Sequence, residues 1–377
     1  MMRRAPKLTI EDIIRFSALI CGCLLFFVTA APAAAQTPAQ DVANGIAARN
    51  KGDEAGATKL FERACTARVT AGCFNIGLAY EFGRGVTIDL ARATGLYDKA
   101  CNGGDGRGCT YLGSSYASGK GVATDANRAN GLFEKACAMG DGEGCTILGS
   151  QYSAGSTVPR DLARANALYE KGCNAGHARG CVALAENYTT GTGLAADLGR
   201  ADVFFEKACN ADSSNACLRL ASKYANGTGV TRDDSRAAGF YEKACNSTYG
   251  GNKGCFGLGV FYENGRGVTR DLVRANELYA KSCTLMEARA CLNLGYNYQN
   301  QRGIARDLTG AQATARAIPF YERACKGGVD KGCLNLGNIY RSGTGVTADP
   351  ARARQFYQLA CTAGNQEGCQ LARAPSN

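Results

Sequence analysis

The chain has a single histidine, His177, in 377 residues, and no tryptophan. A zinc enzyme needs several histidines or an equivalent ligand set, so metal chemistry has too few ligands. His177 stands in a short turn between two cysteines and reads as a surface turn residue. The cysteines are too regular, and too readily paired, to serve as metal ligands. Phosphate cradles are missing as well: glycine-rich strings are common, but none has the G-x-x-x-x-G-K-[ST] form and none follows a predicted strand. No basic run is interleaved with aromatics, so nothing points to nucleic acid. Carboxylates sit at helix caps and faces, and no pair stands out for acid–base work. No cofactor is expected.

Long apolar runs are also lacking, with one exception. Residues 1–15 carry Arg3, Arg4, Lys7 and Arg15, an apolar stretch follows from Phe16 to Thr29, and Ala33-Ala34-Ala35 precedes Gln36. This order predicts a secretory signal peptide over residues 1–35, with Cys21 and Cys23 removed on cleavage. An uncleaved membrane anchor is the other reading of the same stretch. No later run is long enough to span a membrane. The net charge is +10, of which about +8 remains after residue 35. Lysine and arginine recur at fixed helical places beside acids, as on a solvated face. Weak attraction to anionic surfaces remains open.

What the chain does have is cysteine. After residue 60 the pairs are Cys65 with Cys73, Cys101 with Cys109, Cys137 with Cys145, Cys173 with Cys181, Cys209 with Cys217, Cys245 with Cys255, Cys283 with Cys291, Cys325 with Cys333 and Cys361 with Cys369. All but Cys245 and Cys255 are spaced C-x7-C, and the pairs recur every 36 residues apart from two stretched intervals. On one continuous helix, residues eight apart lie about 12 Å apart along the axis. A disulfide needs Cα atoms within about 7 Å. If the two bond, the chain must turn back between them, and Gly103-Gly104, Gly140, Gly176 and Gly364 supply the stop. The stretch from Cys283 to Cys291 lacks such a glycine. Export and an even count of remaining cysteines agree with an oxidising compartment, periplasmic or secreted.

The other half of each repeat is punctuated by Gly83-x-Gly85-Val86-x-x-Asp89 and its copies ending at Asp125, Asp197, Asp233, Asp271 and Asp349. Two copies are degenerate, at Gly155-Ser-Thr157 and at Gln301. The aspartate is predicted to cap a helix, and the run after it has apolar positions at helix period. Leu-Gly-x-x-Tyr follows the second cysteine, as at Leu112-Gly113 and Tyr116; the small residue lets a neighbouring helix approach. The predicted fold is all-α, an α/α superhelical solenoid of about nine disulfide-clamped helix-turn-helix repeats. Residues 36–69 form an N-terminal capping repeat, 70–363 the array, and 364–377 a C-terminal capping helix and tail. The Cys245–Cys255 stretch gains two residues and Asp307–Cys325 gains six. Such insertions map to loops, as a functional edge or as drift in an exposed turn.

Strings such as Ala117-Ser118-Gly119-Lys120-Gly121-Val122-Ala123-Thr124-Asp125, with Arg128-Ala129 and Leu132 to Cys137, resemble the Sel1-like repeat family, relatives of the tetratricopeptide repeats. The paired cysteines resemble its cysteine-rich, secreted branch. The resemblance covers residues 40–373. It implies a right-handed superhelix that holds a protein or peptide in a concave groove lined by the first helix of each unit. Members of that branch have been described as penicillin-binding or weakly β-lactamase-like, so a hydrolase is one alternative. Envelope or peptidoglycan binding without catalysis is another. Serine β-lactamases need Ser-x-x-Lys, Ser-Asp-Asn and Lys-Thr-Gly elements; this chain has none of the three. No catalytic residue is assigned.

The first helix of each unit is expected to start at the second cysteine. Within it, positions two, five, six and eight after that cysteine vary. They place Arg219 and Lys223, with Glu186 and Asn187, in the middle of the groove, and Asn293, Tyr296, Asn297, Asn335, Asn338 and Arg341 toward the C-terminus. Amide side chains can bond a peptide backbone in either sense, and arginine can hold a carboxylate. The expected partner is a protein or peptide, bound by a monomer. Solvated groove residues without a ligand are the simpler account of the same set.

Overall fold

The computed structural model of the chain describes residues 37–304 and 307–374. The signal-peptide segment, with Cys21 and Cys23, lies outside the described residues. All regular structure among the described residues is helical: nineteen helices run from Pro38–Asn50 to Gln366–Arg373, most of them 13 residues long. None is long and apolar enough to cross a membrane.

The punctuation explains the uniform length. Helix Gly106–Ser118 stops where Gly119 turns left-handed at φ 72°, a conformation that costs glycine nothing. The next helix, Ala126–Ala138, starts where the Asp125 side chain accepts the Arg128 backbone N–H at 2.9 Å. Asp89, Asp161, Asp197, Asp233, Asp271 and Asp349 cap their helices in the same way. Asp161 does so even though its loop has lost the second glycine.

The second turn lies between the cysteines, where one residue must be left-handed. Gly140 and Gly176 fill that place, but so do Asp212 at φ 69° and Met286 at φ 69°. The glycine-free stretch from Cys283 to Cys291 therefore makes the same turn as the others. All nine expected pairs are bridged, with Cα–Cα distances of 4.4–4.8 Å. Cys65 is bonded to Cys73, Cys101 to Cys109, Cys137 to Cys145, Cys173 to Cys181 and Cys209 to Cys217. Cys245 is bonded to Cys255, Cys283 to Cys291, Cys325 to Cys333 and Cys361 to Cys369. Each bridge ties the second helix of one unit to the first helix of the next.

The start of the first helix needs correcting. The second cysteine does not open it; the helix begins three residues earlier in most units. It begins at Thr70 ahead of Cys73, Gly106 ahead of Cys109, Gly142 ahead of Cys145 and Ala178 ahead of Cys181. Asp330 precedes Cys333 and Gln366 precedes Cys369 in the same way. In three of these units a side-chain cap sets the start, whereas Val69, His177 and Val329, before Thr70, Ala178 and Asp330, make no such bond. Asp105, Asp141 and Asn365 stand directly after the turn, and their side chains accept backbone N–H groups of the first turn. The helix is thus nucleated before the cysteine is reached. Each of these cysteines then sits inside the first turn and faces back to its partner. Cys73, Cys109, Cys145, Cys181 and Cys333 are buried there, whereas Cys369, in the last helix, is half-buried.

Inside a unit the small residue of Leu-Gly-x-x-Tyr has a definite partner. A Cβ on Gly113 would collide with the Phe133 ring, and one on Gly259 with the Tyr279 ring. In most units the aromatic four residues before the first cysteine packs against that bare backbone; Ala185 and Ala221 take the glycine's place in two. Tyr97, Phe133, Tyr279 and Tyr321 are accordingly among the most deeply buried side chains. Burying a large apolar side chain contributes about 1.5–3 kcal/mol, repeated along the array.

The longer insertion departs from expectation. Most of it is not a loop: it lengthens one helix, Gly310–Lys326, to 17 residues. The cause is local. Thr309 and Gln312 form a reciprocal capping box, Thr309 accepting from the Gln312 N–H and Gln312 accepting from the Thr309 N–H, so the helix starts a turn early. The shorter insertion is a loop, and it leaves Tyr249 82% exposed.

Candidate ligand-binding face

A polar joint recurs where the second helix of one unit meets the loop of the next. Seven residues before five of the nine first cysteines stands a threonine or asparagine whose side chain donates to that loop. Thr58 Oγ1 lies 2.9 Å from the Arg84 carbonyl and Thr94 Oγ1 3.2 Å from the Lys120 carbonyl, each hydroxyl sharing its one proton with the carbonyl four residues back at 2.8 Å. Asn130 reaches Thr157 Oγ1 at 2.9 Å, Asn166 the Thr192 carbonyl at 3.0 Å, and Asn276 the Arg302 carbonyl at 2.7 Å. These bonds seat the loop against the start of the second helix. A Cβ on Gly85, Gly121, Gly193, Gly267, Gly303 or Gly345 would strike atoms of that helix.

Ala238, Ile318 and Arg354 stand at the same place in later units, and the loop beside Ala238 is seated instead by Ser235, which donates to the Gly267 carbonyl at 3.2 Å, and by the Arg266–Asp234 ion pair. One joint stands open. The corresponding residue is Asp202, whose carboxylate has no proton to give the Thr228 carbonyl. It accepts instead from Lys223 in a partly buried ion pair. A Cβ on Gly229 would meet nothing within 4 Å. Between loop and helix a cleft of about 460 Å³ opens. Its walls include Leu198, Asp202, Phe205, Arg219, Lys223 and Thr228. The Arg219 guanidinium carbon lies 4.4 Å above the Phe205 ring.

The residues predicted for the groove divide into three groups. Arg219 and Lys223 both line this cleft, one turn apart on helix Ser214–Asn226. Tyr296 and Arg341 are exposed, and Arg341 reaches over the Tyr357 ring at 5.8 Å. Asn293, Asn335 and Asn338 are half-buried beside aromatic hydroxyls. Tyr357 donates to Asn338 Oδ1 at 2.9 Å. Tyr279, beside Asn293, donates to Glu263 at 2.7 Å, and Tyr321, beside Asn335, donates to Gln299 at 2.7 Å. Burial first, then the bond to the Glu263 carboxylate, pushes the Tyr279 hydroxyl far above its ordinary range.

Asn297 is a correction. It is fully buried, and it donates to Asn276 Oδ1 at 2.8 Å inside the polar joint. It cannot reach a ligand in the groove, because position six of the first helix points at the preceding second helix. Asn187 occupies the same place and donates to Asn166 at 2.6 Å. The Asn297 Oδ1 atom is buried with no hydrogen-bond partner among the described residues. A sequence signal for the joint existed: Thr58, Thr94, Asn130, Asn166 and Asn276 recur in register with the cysteines, and Asp202 and Ala238 interrupt them.

His177 takes the cap position of helix Ala178–Thr190 without capping it, and its Nδ1 lies 2.8 Å from Thr146 Oγ1. Burial and the nearby Arg179 hold its pKa below the ordinary value. The arginines after the capping aspartates stack on tyrosines, Arg92 over Tyr80 and Arg236 over Tyr224 at 4.2–4.3 Å, which confirms a solvated, self-paired face.

No curated protein matches the chain. Among solved structures, a protective antigen of uropathogenic Escherichia coli is 26% identical, with a TM-score of 0.54, over 86% of this chain and 68% of that one. A Sel1 repeat protein from Oxalobacter formigenes is 23% identical with a TM-score of 0.51, covering 83% and 88% of the two chains. Cysteine-rich protein B of Helicobacter pylori is 32% identical with a TM-score of 0.31, over 35% of this chain and 96% of that one. The Sel1 repeat profile matches eight successive units, at 70–105, 106–141, 142–177, 178–213, 214–249, 252–285, 288–329 and 330–365. Those eight units run through nearly all the described helices, in the frame that the polar joints and bridges define, and the chain belongs to the Sel1 repeat family.

Proposed function

We propose that the chain is an exported scaffold that binds a protein or peptide along the face built from its first helices. The repeat fold generally serves protein interaction. The observation that carries the reading is the division of labour within each first helix. Leu294, Gly295 and Asn297 are spent on packing, whereas Asn293 and Tyr296, and one unit later Asn335 and Arg341, remain accessible on the groove side. Nine bridges, each closing a short turn, support an oxidising compartment for the array. A monomer in the periplasm or outside the cell fits that support.

The test is capture of envelope proteins on immobilised chain from residue 36 onward, repeated with Asn293, Asn335 and Asn338 replaced together by alanine. Three lost amide bonds at about 0.5–1.5 kcal/mol each lower affinity tenfold or more. Because Asn338 also holds Tyr357, thermal unfolding of the variant is measured alongside. Equal capture by a folded triple variant would remove the C-terminal asparagines from the site. A hydrolase is argued against by the missing serine elements, and nitrocefin turnover that survives purification and vanishes on a single substitution would reverse that judgement.

A further inference from the structure

The open joint has a chemistry that the closed joints lack. Arg219 and Lys223 face one another across a single helical turn, with Asp202 as the only carboxylate in the cleft wall. The balance is one positive charge in excess. Lys223 is already paired with Asp202, while Arg219 makes no ion pair among the described residues and is exposed. Stacking on Phe205 at 4.4 Å holds the guanidinium plane, leaving its N–H edges free for a carboxylate. Behind the charges the floor is apolar: Ala201, Phe205 and Leu220 are all buried. The cleft, at about 460 Å³, is of ligand-pocket size and opens off the same first-helix face as the groove.

We propose that this cleft is the specificity pocket of the scaffold, and that it takes an acidic side chain of a bound polypeptide together with a neighbouring aliphatic residue. The acid would sit against Arg219 and the aliphatic group against Phe205 and Leu220. The inference rests on the scaffold reading and adds to it the class of sequence recognised. At this unit the loop leaves the apolar wall uncovered, beside an aspartate that stands where five other units place a threonine or asparagine donor.

The test uses the chain from residue 36 onward and a library of displayed random dodecapeptides, followed by fluorescence polarisation with one selected peptide and its Glu→Gln counterpart. Three variants are compared. Asp202→Asn with Lys223→Asn copies the Asn166 and Asn187 pair and gives the joint back its donor. It removes one charge of each sign, so the net charge is unchanged. Arg219→Gln removes the free cation, and Arg219→Lys returns it. The expected result is enrichment of Glu or Asp beside Leu, Ile or Val. The Glu→Gln peptide binds at least tenfold more weakly, and the joint-restoring double variant loses tenfold or more. Arg219→Gln falls at least fivefold, with part of that loss recovered by Arg219→Lys. Peptides that bind the double variant and Arg219→Gln as tightly as the parent would overturn the pocket and leave the scaffold standing. Selection of no peptide at all would overturn both. Circular dichroism and thermal unfolding of each variant separate lost binding from lost fold.

Discussion

Two joints of this solenoid share a plan and differ in one proton. At Asn276 the side-chain amide donates to the Arg302 and Gly303 carbonyls and accepts from Asn297, so loop, second helix and first helix meet in one buried knot. At Asp202 the carboxylate can only accept, takes Lys223, and leaves the Thr228 loop standing off. The first joint is closed and buries a polar atom that has no partner. The second is open and exposes charge. A repeat array thus carries a pocket without any change of backbone plan, where an acid replaces the donor and no other contact among the described residues seats the loop; beside Ala238, which also cannot donate, Ser235 and the Arg266–Asp234 pair do so.

The comparison is broken most severely in the core. Leu294 in the closed joint and Leu220 behind the cleft are both about fully buried. Each replaced by alanine should lose about 2–5 kcal/mol in denaturant unfolding. Leu220→Ala is expected at the lower end, because its neighbours already border open space that can be reshaped or wetted. Equal losses at the upper end would mean that the cleft wall is as rigid as a closed core.

The bridges sharpen the contrast by what they leave equal. Cys209–Cys217 and Cys283–Cys291 flank the open and the closed joint, with Cα–Cα distances of 4.7 and 4.8 Å. Closing a loop of this size is worth roughly 2–3 kcal/mol in the chain-entropy model. Removing either pair by serine substitution should therefore cost the same. A much larger loss on removing Cys209 and Cys217 would mean that the missing polar joint had shifted its load onto the bridge. Free thiols in the folded, oxidised chain would count against this pairing.

Much of this is legible in the residues. The capping aspartates, the glycine stops and the cysteine spacing together dictate helix pairs of fixed length, because each acts within one turn of the chain. Cysteine spacing alone places the first helix three residues late, since Cys109 and Cys145 mark the bridge while Asp105 and Asp141 mark the cap. The cleft is not legible in the same way. Arg219 and Lys223 can be placed on the groove helix from their position after Cys217, but the opening beside them depends on a bond between residues 26 apart in other repeats. Polar residues inside an amphipathic helix look solvated until their partner is seen, and for that reason sequence alone misplaces Asn297. The six-residue insertion looks like a loop by its length, and only the capping box at Thr309 and Gln312 turns it into helix.

The polar joint itself comes next in size. Asn276→Ala removes two donated bonds to the loop and leaves Asn297 with no partner for either end of its amide. A buried polar group stranded in this way costs about 1–3 kcal/mol. The corresponding Asp202→Ala should cost less, since Lys223 is only partly buried and can regain water. Hydrogen exchange checks the geography: protection should fall in the 302–304 loop for Asn276→Ala. A loop equally unprotected in the parent would show that the bonds do not seat it.

The smallest effect falls on Arg219, and its smallness is the point. Its contribution to the fold is the contact over Phe205 at 4.4 Å, an exposed cation–π pair worth about 0.5–1 kcal/mol. Arg219→Gln should therefore shift unfolding by no more than that, while the same change weakens an acidic peptide severalfold. Arg341 over Tyr357 at 5.8 Å is the stability control, a longer contact of the same kind. Its glutamine variant should be no more destabilising than Arg219→Gln. Added salt separates the two roles further. Screening at about 10 Å in 0.1 M salt should erode the acidic peptide's affinity for the parent far more than for Arg219→Gln, with little change in the stability of either. If the stability loss at Arg219 instead exceeds that of Leu220→Ala, the arginine is a strut of the array and its free guanidinium edge is incidental.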